Sequence, residues 1–131
     1  MTGEERIDEL LRAARDVRER AYVPYSGFPV GAALLAEDRV FSAVNVENAS
    51  YPLSVCAERN AVAAMVAGGK RRLDVVAVVT DAAEPTPPCG GCRQVLAEFG
   101  PEAVVVSETL AGARARWTVS ELLPAAFVFD R

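Results

Sequence analysis

Histidine is absent from this chain of 131 residues, and cysteine occurs only three times. Any zinc ion held here must take most of its ligands from three sulfurs, with the fourth position left to water. A structural zinc site closes with four protein ligands, whereas a catalytic one keeps a position open. The odd cysteine count argues against a disulfide framework. A secretory leader is basic and then apolar, but the opening Met1-Thr2-Gly3-Glu4-Glu5-Arg6 is acidic and polar. No apolar run reaches the ~18 residues of a membrane-spanning helix. The expected setting is the cytoplasm.

Positive charge is also in short supply. Fourteen Lys and Arg against eighteen Asp and Glu leave a net charge of −4. Nonspecific nucleic-acid affinity comes from cations neutralising phosphates, so a small neutral substrate suits the chain better than a polynucleotide. The one basic cluster, Lys70-Arg71-Arg72, follows Gly68-Gly69 and reads as a solvated helix-to-strand loop. A hydrophobic content of 51% at this length predicts a single domain over 1–131 with a core of its own.

The apolar residues that are present fall into clear periods. Ile7, Leu10, Leu11, Ala14, Val17 and Ala21 form a helical stripe over 4–21, and Thr2 with Glu5 matches a capping box. Pro24, Gly27 and Pro29 break the chain around Tyr25-Ser26-Gly27-Phe28. Two strands, 30–36 and 40–46, flank Glu37-Asp38 as a hairpin. A second helix begins near Cys56 and ends at Gly68-Gly69. Residues 73–80 read as a strand buried on both faces.

A third helix runs from about Cys89 to Phe99, followed by a short strand at 103–106 and a possible further strand around 110–117. Thr118 and Glu121 open a last short helix that Pro124 ends. Phe41 and Trp117 read as core. A hairpin followed by two strand-helix-strand crossovers predicts an α/β fold, a mixed sheet with helices on its faces.

The chemistry concentrates at two helix starts. Cys89-Gly90-Gly91-Cys92 places two sulfurs one turn apart on one face, and Cys56 supplies a third from the other helix. Two helix N-termini would stabilise thiolates there, and Arg59, on the face of Cys56, could donate hydrogen bonds to the sulfurs. Residues two apart in a helix diverge by about 200°. Cys56 must therefore cap its helix if Glu58 is to serve the same site from the first turn.

Taken alone, each element has an ordinary reading. Cys-x-x-Cys is equally a redox pair or half a structural zinc knuckle, and Glu58 could close a four-ligand structural shell. Asn45 and Glu47 alone are strand-end polar residues, Phe28 and Phe127 packing aromatics, and Arg59 a surface residue.

Together these segments resemble a known family. Asn45-Val46-Glu47-Asn48-Ala49-Ser50-Tyr51, Cys56-Ala57-Glu58-Arg59 and Pro88-Cys89-Gly90-Gly91-Cys92-Arg93-Gln94 look like the small homotetrameric zinc-dependent cytidine deaminases. The resemblance runs from Tyr25 to Phe127. It implies a three-layer sandwich, a mixed five-stranded sheet with helices on both faces, and one Zn²⁺ per subunit held by Cys56, Cys89 and Cys92. It further implies that Glu58 takes a proton from zinc-bound water, delivers it to N3 of cytosine, and later protonates the leaving amine.

Asn45 and Glu47 match the family's ribose-binding pair, Phe28 an aromatic beside the base, and Ala57 a substrate contact. Arg59 matches the arginine that neutralises the thiolates, while Tyr51 and Phe127 match residues that complete a neighbouring subunit's pocket. The reaction implied is deamination of cytidine and 2′-deoxycytidine in pyrimidine salvage. A blasticidin S-type deaminase shares Pro-Cys-Gly-x-Cys-Arg-Gln, and the Asn-Val-Glu-Asn segment favours the nucleoside. A nucleic-acid-editing deaminase fits the acidic balance less well, and a noncatalytic zinc module, with Glu58 closing the shell, is the alternative from a different class.

Overall fold

The computed structural model describes residues 2–129. Helix α1 spans Gly3–Arg18, with the Thr2 hydroxyl accepting the Glu5 N–H at 3.2 Å, and it buries Ile7, Leu10, Leu11 and Ala14 as the stripe predicts. It ends at Arg18 rather than at 21. There the N–H groups of Arg20 and Ala21 bond to the carbonyls of Val17 and Arg18 in a tightened last turn. Arg18 then turns its Nε to the Pro29 carbonyl at 3.1 Å.

Strands β1 (Gly31–Ala36) and β2 (Arg39–Val44) form the expected hairpin. Glu37 and Asp38 between them adopt φ of +51° and +71°, the left-handed pair required by a two-residue turn of this kind. Their strain is offset by hydrogen bonds. The Glu37 carboxylate accepts the N–H groups of Arg71 (2.9 Å) and Arg72 (3.1 Å), and the Glu37 N–H donates to Asp74 at 3.0 Å. Strand β2 stops at Val44, short of the expected 46, because the Asn45 side chain takes the Val30 N–H and Val46 pairs with Tyr22 and Val55 instead.

Helix α2 (Ala57–Ala67), strand β3 (Val75–Thr80), helix α3 (Gly90–Phe99), strand β4 (Val104–Thr109), strand β5 (Arg114–Thr118) and the short helix α4 (Val119–Leu122) follow. The capping box of α4 forms in both directions between Thr118 and Glu121. The sheet order is β2-β1-β3-β4-β5, with β3 and β4 parallel and every other neighbouring pair antiparallel. Strands β2, β3 and β4 consequently share one direction, and their C-terminal ends lie along one edge of the molecule.

Side chains of the sheet alternate between two cores. Ala33, Leu35, Ala77, Val79 and Val106 face α1, whereas Ala32, Leu34, Val76, Val78 and Val105 face α2 and α3 with Met65 and Leu96. This is the three-layer α/β/α arrangement. Each fully buried Leu or Val contributes about 1.5–3 kcal/mol of hydrophobic free energy. Phe41 is buried as expected, but Trp117, on the edge strand β5, is only half-buried against the α2–α3 core. On the other face α1 presses so close that a Cβ on Gly31 would sit 1.9 Å from the Ala14 carbonyl oxygen.

Candidate active site

Both cysteine motifs open helices at the shared C-terminal edge of β2, β3 and β4, the end of an open α/β sheet where ligands gather. Cys56 is the N-cap of α2, with φ −70° and ψ 154°, and Cys89 is the N-cap of α3, with φ −65° and ψ 168°. The condition for Cys56 and Glu58 to serve one site is met, since Cys56 lies outside the helical backbone and Glu58 falls in the first turn. Asn60, one residue further along than Arg59, donates to the Val44 carbonyl at 2.9 Å and ties α2 to the end of β2.

The three sulfurs converge. Cys56 and Cys89 Sγ lie 3.7 Å apart, Cys89 and Cys92 Sγ 3.3 Å apart, and all three fall within 4.8 Å of one another. All three are free thiols. Tetrahedral Zn–S bonds of about 2.3 Å place sulfurs roughly 3.8 Å apart, so this donor set fits zinc after a small opening of the Cys89–Cys92 pair. No fourth His, Cys, Asp or Glu joins the cluster among the described residues. Three donors leave a tetrahedral ion one position short, which speaks against the closed shell of a structural site.

The electrostatics of the cluster are those of a crowded set of acids. Contact with the Cys92 thiol draws Cys56 well below the ordinary 9.0, helped by Cys89 and by the charge of Arg59 and opposed by burial. Cys92 is pushed upward by its contact with Cys56, by burial and by the charge of Glu58. Glu58 is only 6% exposed. Burial raises its carboxyl from 4.5 to about 7; its own backbone N–H opposes the rise and the charge of Cys56 adds to it. A divalent cation among these groups would draw all of them toward their ionised forms.

The other expected site residues divide into groups. Asn45 and Glu47 follow β2 directly and Phe28 precedes β1, so the antiparallel hairpin brings them to the same edge as the sulfurs. Asn45 accepts the Val30 N–H (2.9 Å) and donates to the Phe28 carbonyl (3.0 Å). Ala57 is fully buried at the first helical position of α2, packed in the α2–α3 core. Arg59 is exposed, and among the described residues it makes no hydrogen bond to a sulfur; its influence on Cys56 is through charge alone. Tyr51 and Phe127 stand 81% and 72% exposed in the single chain.

Two supporting residues were not singled out by the sequence reading. Arg93 donates from Nε to the Pro88 carbonyl (2.7 Å) and from Nη1 to the Leu122 carbonyl (2.9 Å), fixing the loop that presents Cys89 against the end of α4. Its place directly after Cys92 was the available signal. Ser26 bonds Glu47 through its hydroxyl and its backbone N–H, with only its position in a Gly-containing turn to mark it.

Comparison with known proteins agrees with this geometry. The family model for the cytidine and deoxycytidylate deaminase zinc-binding region matches residues 4–108. A cytidine deaminase of Halalkalibacterium halodurans is 51% identical over 123 residues, covering 92% of this chain and 93% of that protein. The crystal structure of cytidine deaminase from Burkholderia pseudomallei superposes with a TM-score of 0.89 at 45% identity, covering 97% of this chain and 100% of the other. A blasticidin-S deaminase of Bacillus cereus is more distant, 30% identical over 104 residues, 72% of this chain and 74% of its own.

Proposed function

Because the chain belongs to the cytidine and deoxycytidylate deaminase family, we infer that it is a zinc-dependent hydrolase that converts cytidine and 2′-deoxycytidine to the uridine products with release of ammonia. The observation that carries this reading is the convergence of three sulfurs from two helix N-termini beside the buried carboxyl of Glu58.

In this reading Cys56, Cys89 and Cys92 hold the zinc. When bound, zinc supplies Lewis acidity toward water at its open position, making that water nucleophilic near neutral pH. Glu58 moves the protons. Its carboxylate takes one from the attacking water and gives it to N3 of the cytosine, then takes the second from the new C4 hydroxyl and gives it to the departing amine. C4 gains the water oxygen and loses its nitrogen as ammonia, so cytidine and water become uridine and ammonia. A buried carboxyl that can both accept and donate a proton is suited to both halves of that task.

Asn45 and Glu47 bind the sugar 3′-hydroxyl, and Phe28 packs beside the base. Arg59 lends positive charge to the thiolate cluster. Exposed Tyr51 and Phe127 suit a homotetramer in which neighbouring subunits complete each pocket, with Leu53, Val128 and Phe129 also exposed nearby in sequence. The whole chain then acts as one catalytic domain in pyrimidine salvage, in a cytoplasmic setting where three free thiols stay reduced.

Following the ultraviolet absorbance of cytidine alongside zinc content per chain tests this reading. Turnover that scales with bound zinc is expected. Turnover of blasticidin S alone, with cytidine untouched, would replace the nucleoside with the antibiotic.

A further inference from the structure

Residues 25–28 reach the sheet edge as a turn anchored on Glu47. Glu47 Oε1 accepts the backbone N–H groups of Tyr25 (3.0 Å) and Ser26 (3.1 Å). The other carboxylate oxygen, Oε2, accepts the Ser26 hydroxyl. That same hydroxyl oxygen accepts the Phe28 N–H at 3.0 Å. The turn passes through Gly27 at φ +67°, a backbone state open to glycine. Ser26 thus joins a candidate sugar-binding residue to the backbone of the candidate base-packing residue through one oxygen atom.

An ionised carboxylate offers about four lone-pair sites. Both on Oε1 are taken by backbone donors and one on Oε2 is taken by Ser26, so the remaining acceptor site of Glu47 lies on Oε2. The Ser26 hydroxyl determines where it points. The hydrogen bond from Ser26 leads the causes that hold Glu47 below its ordinary 4.5, with the two backbone N–H groups acting in the same direction and desolvation opposing. Asn45 is similarly committed: Oδ1 receives the Val30 N–H and one Nδ2 hydrogen goes to the Phe28 carbonyl. One amide hydrogen remains. A sugar hydroxyl is a donor and an acceptor at once, the complement of those two free sites.

We propose that Ser26 is a positioning residue for the nucleoside sugar, its hydroxyl aiming the free lone pair of Glu47 at the sugar 3′-hydroxyl. The inference rests on Glu47 being the partner of that hydroxyl. It differs from a general stabilising role because it acts only on substrates that carry the hydroxyl.

Steady-state kinetics of Ser26→Ala and Ser26→Thr, on cytidine and on its 3′-deoxy analogue, provide the test. For Ser26→Ala, KM for cytidine should rise about tenfold at nearly unchanged kcat. KM for the analogue should move less than about twofold, because the contact being aimed is already missing. Ser26→Thr, which keeps the hydroxyl, should recover most of the cytidine KM. An unchanged cytidine KM in Ser26→Ala, or equal losses on both substrates, overturns the proposal. Failure of the underlying reading has its own signature: a wild-type protein inert on cytidine, or a Glu47→Gln variant with wild-type KM, rejects the sugar role of Glu47 and the proposal with it.

Discussion

Cys56 and Cys89 occupy the same position in two different helices. Each is the N-cap residue, outside the helical backbone, and their sulfurs meet 3.7 Å apart across the junction of α2 and α3. Two helix N-termini, each carrying about half a positive charge, therefore face one sulfur cluster. A site with no histidine gathers its compensation for thiolate charge from backbone as well as from Arg59.

That arrangement makes the metal part of the folded state. Replacing Cys92, the buried member of the trio, with Ser should reduce bound zinc from about one per chain to near zero. The variant should also lose the stabilisation that zinc gives the wild type, since an ion at about 100 times its Kd contributes about 2.7 kcal/mol. Chelation of the wild type should lower Tm by several degrees, and added zinc should restore it. Metal content by mass spectrometry and thermal unfolding check both.

Gly31 is a steric hinge of the fold rather than of the site. A methyl at this position would meet the Ala14 carbonyl oxygen at 1.9 Å and the Arg18 Cβ at 2.9 Å, forcing α1 off the sheet. Gly31→Ala should cost about 3 kcal/mol or more. Gly3→Ala, where nothing lies within 4 Å, serves as the control and should leave denaturant midpoints nearly unchanged.

The hairpin tip has a pH signature. Glu37 is held below its ordinary 4.5, first by the N–H groups of Arg71 and Arg72, with Lys70 and Arg72 adding their charge and desolvation opposing. A carboxyl depressed in the folded state adds stability that is fully present above its unfolded value and is lost as pH falls through the folded one. Glu37→Gln should therefore be less stable than wild type at neutral pH. The two curves should converge as acid is added below pH 4.5, which urea titrations across pH can follow.

Much of this was readable in the chain because it is local. The stripe of α1, the buried run before Thr80 and the caps at Thr2 and Thr118 each declare themselves within a few residues. The cysteine spacing together with Glu58 imposed a definite requirement, that Cys56 be a cap, and the structure meets it. What escaped was set by contacts distant in sequence. Strand β5 starts only at Arg114, where its arginines pair with Glu108, Asp8 and Glu4 across the α1 face. The Ser26–Glu47 and Arg93–Leu122 bonds span 21 and 29 residues, and no hydrophobic period records such links.

The central claim is that Glu58 moves protons at a three-sulfur zinc site without being one of its ligands. Glu58→Gln, assayed for cytidine turnover and zinc content on the same preparation, tests it directly. About one zinc per chain should remain while kcat falls by about 10²–10⁴. Turnover at the wild-type rate, or loss of the metal together with the carboxylate, would contradict the account.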